Sequence, residues 1–223
     1  MQGIKIDLES VFSELNDTKV EWRKISREGL DLDYSLLFSK RIADEIMNQL
    51  EKEVEYYSGD LTKVKVFGKL HNIPRQQVAY GDNGLTYRFS GVTIPAKPWI
   101  EPLKIIRDLI FRLTKVEYNF VLVNRYRNGS DHIGEHRDGE SDLDARAPIA
   151  SVSLGQQRQF ILKHADCRKK RSAKRDIPKV TVELQHGSLL LMNPPTNQFW
   201  YHSLPPRKNA NGVRINLTFR KIV

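Results

Sequence analysis

Arg214-Ile215-Asn216-Leu217-Thr218-Phe219-Arg220 alternates polar and apolar residues without a break. Successive side chains of an extended strand point to opposite faces. Ile215, Leu217 and Phe219, with Val213 before them, therefore share one face, which must pack on a core. Arg214, Asn216, Thr218 and Arg220 share the other. A guanidinium buried there needs an anionic partner, because an unpaired buried charge is costly. Its planar fork matches a carboxylate in two-point contact. The competing reading is a half-exposed edge strand whose polar face meets water.

Working outward from that strand, the pattern from Asn119 onward is one of short strands. The candidates are 119–126, 149–154, 158–164, 178–184, 187–192, 198–203 and 213–220. Many short strands with few helices predict a mainly β fold with flanking helices (α+β), of the sandwich or jelly-roll kind. Ser39 is placed to cap a helix through about Glu53, with Ile42, Ile46 and Leu50 on one stripe. Pro98 marks the start of a second helix, continued by Ile100, Leu103, Ile106, Ile110 and Leu113. Thr62-Lys-Val-Lys-Val-Phe67 alternates and reads as a strand, and Gly68 after it is a turn signal. Residues 1–33 are acidic with weak periodicity and read as a loosely structured lead-in. Residues 1–60 as a whole read as an N-terminal lead-in with one helix, partly flexible.

Composition limits the function. The chain of 223 residues is long enough for one domain with a sizeable core. No apolar run approaches the ~18 residues a membrane span needs, so no membrane partner is expected. A single cysteine, Cys167, excludes an internal disulfide and fits a reducing compartment. The net charge of +9 is uneven: residues 1–60 hold 8 Lys and Arg against 14 Asp and Glu, residues 61–223 hold 28 against 13. That asymmetry points to a polyanionic partner for the second part. Lys163 to Lys179, with eight Lys and Arg and two Asp, reads as a long, basic, mobile loop.

His136-Arg137-Asp138 places two potential ligands at i and i+2 of an extended segment, facing the same way. Asp138, His136 and the distant His202 make a set of two imidazoles and one carboxylate. On one face of an ion, that set leaves positions open for a co-substrate and O₂, as in non-haem Fe(II) oxygenases. Zinc is the competing metal, although its catalytic sites more often use three His or two His and a Glu. Taken alone, His136 and Asp138 fit a surface ion pair and His202 a core histidine. His132 and His186 rank below these three as ligands. A dicarboxylate such as 2-oxoglutarate would suit the arginine strand, one carboxylate meeting Arg214 or Arg220 and the other end chelating iron.

The motifs together resemble the AlkB family of Fe(II)/2-oxoglutarate dioxygenases. The Arg-x-Asn-x-Thr-x-Arg run after His-x-Asp and the distant His carries the resemblance. Val66-Phe67-Gly68-Lys69, Gly84-Leu-Thr-Tyr87-x-Phe89-Ser-Gly91, Asn124-Arg-Tyr126, Pro148-Ile-Ala-Ser-Val-Ser153 and Trp200-Tyr-His-Ser-Leu-Pro205 extend it towards a nuclear member that repairs duplex DNA. It covers roughly residues 62–223. It implies a double-stranded β-helix (jelly-roll) core and a nucleotide-recognition lid within one catalytic domain over 61–223. It implies Fe(II), O₂ and 2-oxoglutarate as cofactor and co-substrates, with ascorbate helpful in vitro, and the nucleus as location. His136, Asp138 and His202 would ligate iron, and Asn124, Tyr126, Arg214, Asn216, Thr218 and Arg220 would line the co-substrate pocket.

The implied substrate is double-stranded DNA with N-alkylated bases such as 1-methyladenine or 3-methylcytosine. The base must leave the stack to be reached. Phe67, supported by Val66 and Gly68, would wedge into the gap, with Lys69 on phosphate. Tyr87, Arg88 and Phe89 would receive the extruded base. Arg75, Lys163, Arg168, Lys169, Lys170 and Arg171 would bind backbone phosphates; a nuclear-import signal is a second reading of Arg168–Arg175. Where related enzymes carry an acid directly after the metal-binding Asp, this chain has Gly139, which makes Glu140 the candidate for the base edge. Rival readings are the same chemistry on single-stranded DNA or RNA, and a non-catalytic nucleic-acid-binding module with a structural metal. A monomer is expected; a replication-clamp partner is conceivable, although Met1–Ser10 shows no motif for it.

Overall fold

The Arg214 run forms a strand in which all seven residues are buried. The computed structural model describes residues 20–66, 69–89, 92–139, 142–169 and 173–223. The larger sheet has eight strands: β1 (Arg23–Arg27), β2 (Leu30–Leu36), β5 (Gln76–Gly81), β8 (Lys97–Pro98), β9 (Phe120–Tyr126), β11 (Ile149–Gly155), β14 (Ser188–Met192) and β16 (Arg214–Arg220). Their spatial order is β1-β2-β14-β11-β16-β9-β5-β8. The smaller sheet holds β10 (Ile133–His136), β12 (Arg158–His164), β13 (Val180–Leu184) and β15 (Trp200–Leu204) in the order β10-β15-β12-β13. Two hairpins stand apart, β3 (Lys63–Val66) with β4 (Lys69–Asn72) and β6 (Thr86–Phe89) with β7 (Val92–Pro95). This is the expected mainly β architecture with flanking helices, a jelly-roll core.

The two faces of the larger sheet do different things. Val121, Val123, Val152, Leu154, Ile215, Leu217 and Phe219 pack against two helices, α1 (Lys40–Glu53) and α2 (Glu101–Thr114), through Ile42, Ile46, Leu50, Leu103, Ile106 and Ile110. Fully burying each such side chain contributes about 1.5–3 kcal/mol. The other face meets the smaller sheet through Tyr34, Leu162, Val182, Leu190 and Trp200. The polar side of β16 lies on this inner face.

The helices form where their stripes predict, and Ser39 Oγ accepts the Ile42 amide at 3.5 Å as the expected cap. The second helix starts later than Pro98, which lies in β8; Pro102, inside the first turn of α2, is the proline that suits a helix start. The segment read as a loose lead-in differs for its described part. Residues 23–36 form β1 and β2, and β2 pairs with β14, so Leu30, Leu32 and Tyr34 enter the inter-sheet core. The signal was present, since Leu30-Asp-Leu-Asp-Tyr34 alternates; the two aspartates disguised it, being satisfied by Lys24 and Asn193. Among the described residues no helix is long and apolar enough to cross a membrane.

The basic segment 163–179 is held rather than loose where it is described. Ala165–Arg168 makes a 3-10 turn, Cys167 Sγ donates to the Ile177 carbonyl at 3.4 Å, and Arg175 pairs with Glu28 at 2.6 Å and with Asp166 at 3.3 Å.

Candidate metal and co-substrate site

Strand pairing brings the two histidines together. β10 and β15 are antiparallel with His136 directly opposite His202, and a register shift between Ile133 and His136 sets that pairing. The rings lie 4.3 Å apart at 67°. Asp138, two residues past β10, is buried, and its Oδ1 lies 3.6 Å from His136 Nε2 and 3.7 Å from His202 Nε2. One ligand atom from each residue falls within 4.8 Å of the others. His136 Nδ1 lies 2.8 Å from the Gly134 carbonyl and donates to it, which leaves Nε2 as the ring nitrogen facing Asp138.

Burial sets the charge states. Being buried among Asp138, His136 and Arg220 pushes the His202 imidazole down to about 3, against the attraction of Asp138. It is therefore neutral at ordinary pH. Burial alone would raise the Asp138 carboxyl, but the charge of Arg220, with smaller contributions from the histidines, outweighs it and holds the group at about 2. Arg220 Nη2 and Nε lie 2.8 and 3.3 Å from Oδ2. Two imidazoles, that of His202 held neutral, and one ionised carboxylate fit a divalent ion. Among the described residues no fourth His, Cys, Asp or Glu joins the group, whereas a closed structural zinc site needs four ligands. The donor set therefore fits an open catalytic centre.

The remaining histidines stand elsewhere. His132 Nδ1 lies 2.9 Å from the Ser130 carbonyl, and His186 accepts the Gly155 amide and faces Asp44 at 3.1 Å. His164 packs on Phe199 and Trp200.

The polar face of β16 adjoins this centre. Arg214 is 2% exposed; its Nη2 donates to Ser153 Oγ at 2.9 Å, and its guanidinium lies 5.2 Å from the centre of the Tyr126 ring. Among the described residues its Nε and Nη1 are buried without a hydrogen-bond partner. Burial pushes the group down to about 10, with Tyr126 opposing the shift. Such orphaned donors in a dry site fit a ligand carboxylate. Asn216 donates to Ser151 Oγ and the Val152 carbonyl, and Thr218 Oγ1 donates to Asn216 Oδ1 at 3.2 Å. Asn124 pairs across from Asn216, and Tyr126 across from Arg214. All six residues expected to line a co-substrate pocket thus lie on two adjacent strands.

One expected phosphate contact is corrected. Arg75 is buried, with Nε donating to Asn124 Oδ1 at 2.7 Å, Nη2 to Gln77 Oε1 at 3.3 Å and Nη1 to the His132 carbonyl at 3.4 Å. A guanidinium turned inward onto these acceptors braces Asn124 and does not face a phosphate. Lys163 and Arg168 are half exposed and share Glu135, at 2.8 and 3.7 Å. Lys169 pairs with Asp166 at 2.6 Å, and Lys69 lies exposed on β4. Val66 pairs with Lys69, and Tyr87, Arg88 and Phe89 form part of β6. Phe67, Gly68, Glu140, Lys170 and Arg171 lie outside the described residues.

Sequence reasoning missed Asn197 and Arg158. Asn197 Oδ1 accepts the Asp138 amide at 3.0 Å, and its Nδ2 donates to the Asp138 carbonyl, so one amide fixes the backbone of the carboxylate ligand. No local pattern marks it, because the pairing spans 59 residues. A cavity of about 400 Å³ adjoins the centre, lined by Asp138, Gly139, Met192, Asn193, Asn197 and Arg220 among others. Among the described residues a Cβ on Gly139 would meet only the Arg137 carbonyl, at 4.0 Å.

Comparison with known proteins agrees with this geometry. Residues 34–220 match the family model described as the 2OG-Fe(II) oxygenase superfamily. The chain is 56% identical over 203 residues to the DNA oxidative demethylase ALKBH2 of Mus musculus, covering 91% of this chain and 84% of that one. It is 56% identical over 202 residues to the DNA oxidative demethylase ALKBH2 of Homo sapiens, covering 91% and 77%. A solved chain described as "The structure of OsALKBH1" superposes with a TM-score of 0.55 at 19% identity, over 91% of this chain and all of that one, and so shares the fold. Two histidines and a carboxylate around an open position, beside a strand of buried arginines, are what this matched family would require, and the chain belongs to the AlkB family of the 2OG-Fe(II) oxygenase superfamily.

Proposed function

We propose that this chain is an Fe(II)- and 2-oxoglutarate-dependent DNA oxidative demethylase that restores N-alkylated bases in double-stranded DNA. The observation that carries the reading is the division of buried charge: a three-ligand centre open on one side, and Arg214 beside it with two unsatisfied donors. Its mammalian relatives at 56% identity are named DNA oxidative demethylases. The excess of cations over residues 61–223 suits a polyanion.

His136, Asp138 and His202 hold the ion, with Arg220 fixing the outer carboxylate oxygen and Asn197 the backbone. Arg214 takes the distal carboxylate of 2-oxoglutarate, and Arg220 serves the iron-binding side. Tyr126, Asn124, Asn216 and Thr218 complete the pocket. When bound, iron and 2-oxoglutarate supply oxidising power: O₂ is consumed, CO₂ and succinate leave, and the N-methyl group becomes a hydroxymethyl that departs as formaldehyde. Phe67 and Gly68 separate the base pair, and the β6 residues Tyr87, Arg88 and Phe89 receive the extruded base, whose edge Glu140 reads. Lys69, Lys163, Arg168, Lys169, Lys170 and Arg171 meet phosphates. The protein acts in the nucleus as a monomer.

The test is a duplex oligonucleotide carrying 1-methyladenine or 3-methylcytosine, incubated with the iron-loaded protein, 2-oxoglutarate and ascorbate. Restored base with formaldehyde release is expected, faster on duplex than on the single strand, with Phe67→Ala removing that preference. Intact lesions in a protein shown to hold iron and 2-oxoglutarate would overturn the reading.

A further inference from the structure

A second guanidinium is buried beside the first. Arg158 opens β12 and is 1% exposed. Its Nη2 donates to the carbonyls of Asp131 at 2.9 Å and Pro205 at 2.7 Å, and its Nη1 to the carbonyl of Asn128 at 3.2 Å. Those carbonyls belong to the turn leaving β9, to the residues just before β10, and to the residue just after β15. β9 carries Asn124 and Tyr126, β10 carries His136, and β15 carries His202. One planar group thus ties the ends of all three.

Neutral carbonyls do not require a charge. A buried cation is an expensive way to bind them, and burial holds this guanidinium below its ordinary range. Its Nε is buried with no hydrogen-bond partner among the described residues. Its guanidinium carbon lies 5.9 Å from the centre of the Tyr126 ring, the ring that Arg214 approaches to 5.2 Å. Tyr126 therefore sits against two buried cations, each attracted to its π-face.

The geometry points to Arg158 as a positioning residue of the co-substrate pocket: it holds Tyr126 and the three loop ends so that Nε and Nη1 of Arg214 are presented to the distal carboxylate of 2-oxoglutarate. This rests on the reading of the site given above. Arg158 touches neither ion nor substrate. It acts through Tyr126 and the backbone at Asn128, Asp131 and Pro205.

The prediction is selective. Losing Arg158 loosens the far end of the pocket and spares chelation at the metal. Arg158→Met and Arg158→Lys are compared with wild type by calorimetric titration of the Mn(II)-loaded, full-length protein. The probes are 2-oxoglutarate and oxalate, which chelates a metal but has no distal arm. Arg158→Met should weaken 2-oxoglutarate about tenfold, as expected when a two-point contact loses its alignment. Mn(II) and oxalate should change by less than about twofold. Arg158→Lys keeps the charge, gives up the fork, and should fall between.

Unchanged 2-oxoglutarate affinity, equal weakening of both ligands, or parallel loss of Mn(II) would overturn the inference and leave Arg158 a structural clamp. If Arg158→Met does not fold, Arg158→Lys decides by the same selectivity. A wild type that fails to bind 2-oxoglutarate with Mn(II) overturns the co-substrate reading itself. A wild type that binds it, beside variants that bind equally, overturns this inference alone.

Discussion

Arg220 and the two histidines use different oxygens of Asp138: Nη2 of Arg220 lies 2.8 Å from Oδ2, while Oδ1 faces His136 and His202. The carboxylate is thereby oriented before any ion arrives, and its negative charge is stabilised in a buried place. Partners of this kind typically change metal affinity 10–100-fold. Arg220→Lys keeps a charge and gives up the paired Nη2 and Nε donors to Oδ2, so metal affinity should fall by about tenfold. Metal titration of the variant checks this; an unchanged affinity would show that the carboxylate orients itself.

Arg214 predicts a split between stability and binding. Two of its donors are unsatisfied and its charge is buried. Arg214→Met should leave the thermal midpoint of the ligand-free protein unchanged or raise it, because a well-packed apolar residue avoids the desolvation cost. The same change should weaken 2-oxoglutarate by about 100-fold, the order seen when one partner of a desolvated charge pair is lost. Thermal melts with and without 2-oxoglutarate separate the two effects. A large drop in the ligand-free midpoint would mean that Arg214 supports the fold.

Asn197 reaches the site only through backbone atoms, accepting from and donating to Asp138. Asn197→Ala frees both and should lower metal affinity by about tenfold while preserving the circular dichroism of the sheets. Equal metal binding by mutant and wild type would remove it from the site.

The pH dependence follows from His202, whose ordinary value of 6.5 falls to about 3 on folding. Below about 6.5 the unfolded chain takes up a proton that the folded chain refuses, so the group costs stability as pH falls towards 3. The loss approaches about 1.4 kcal/mol per pH unit. Asp138, held at about 2, acts in the same direction at lower pH. With a chelator present, the thermal midpoint should drop between pH 7 and 5, and His202→Gln should flatten that drop. Parallel curves would count against a buried neutral imidazole.

Lys163 and Arg168 share Glu135 at the surface. If they meet phosphates, Lys163→Ala should weaken binding of any duplex alike. It should also reduce the slope of log affinity against log salt by about one. Anisotropy titrations at several salt concentrations read that slope directly, and an unchanged slope excludes the contact.

Residues with local periodicity were legible in the sequence. Strand β16, the stripe of α1 and the pairing of His136 with Asp138 need only neighbours two or four positions away. Arg75 and Arg158 were not legible, since an arginine facing inward looks the same in sequence as one facing water, and the acceptors that distinguish them, Asn124 and the Asp131 carbonyl, lie 49 and 27 residues away. Asn197 failed for the same reason. Pro98 misled because proline suits both a helix start and an edge strand. β1 has little burial on either side, so no alternation announces it.

Strand β16 braces the helices with one face of its side chains and, in the proposed function, offers the other to a co-substrate. The wall of the reaction chamber is therefore also a structural beam. Any substitution among Ile215, Leu217 or Phe219 that lets the beam sag will misdirect Arg214 and Arg220 as well, so damage far from the chemistry will register first as weakened catalysis.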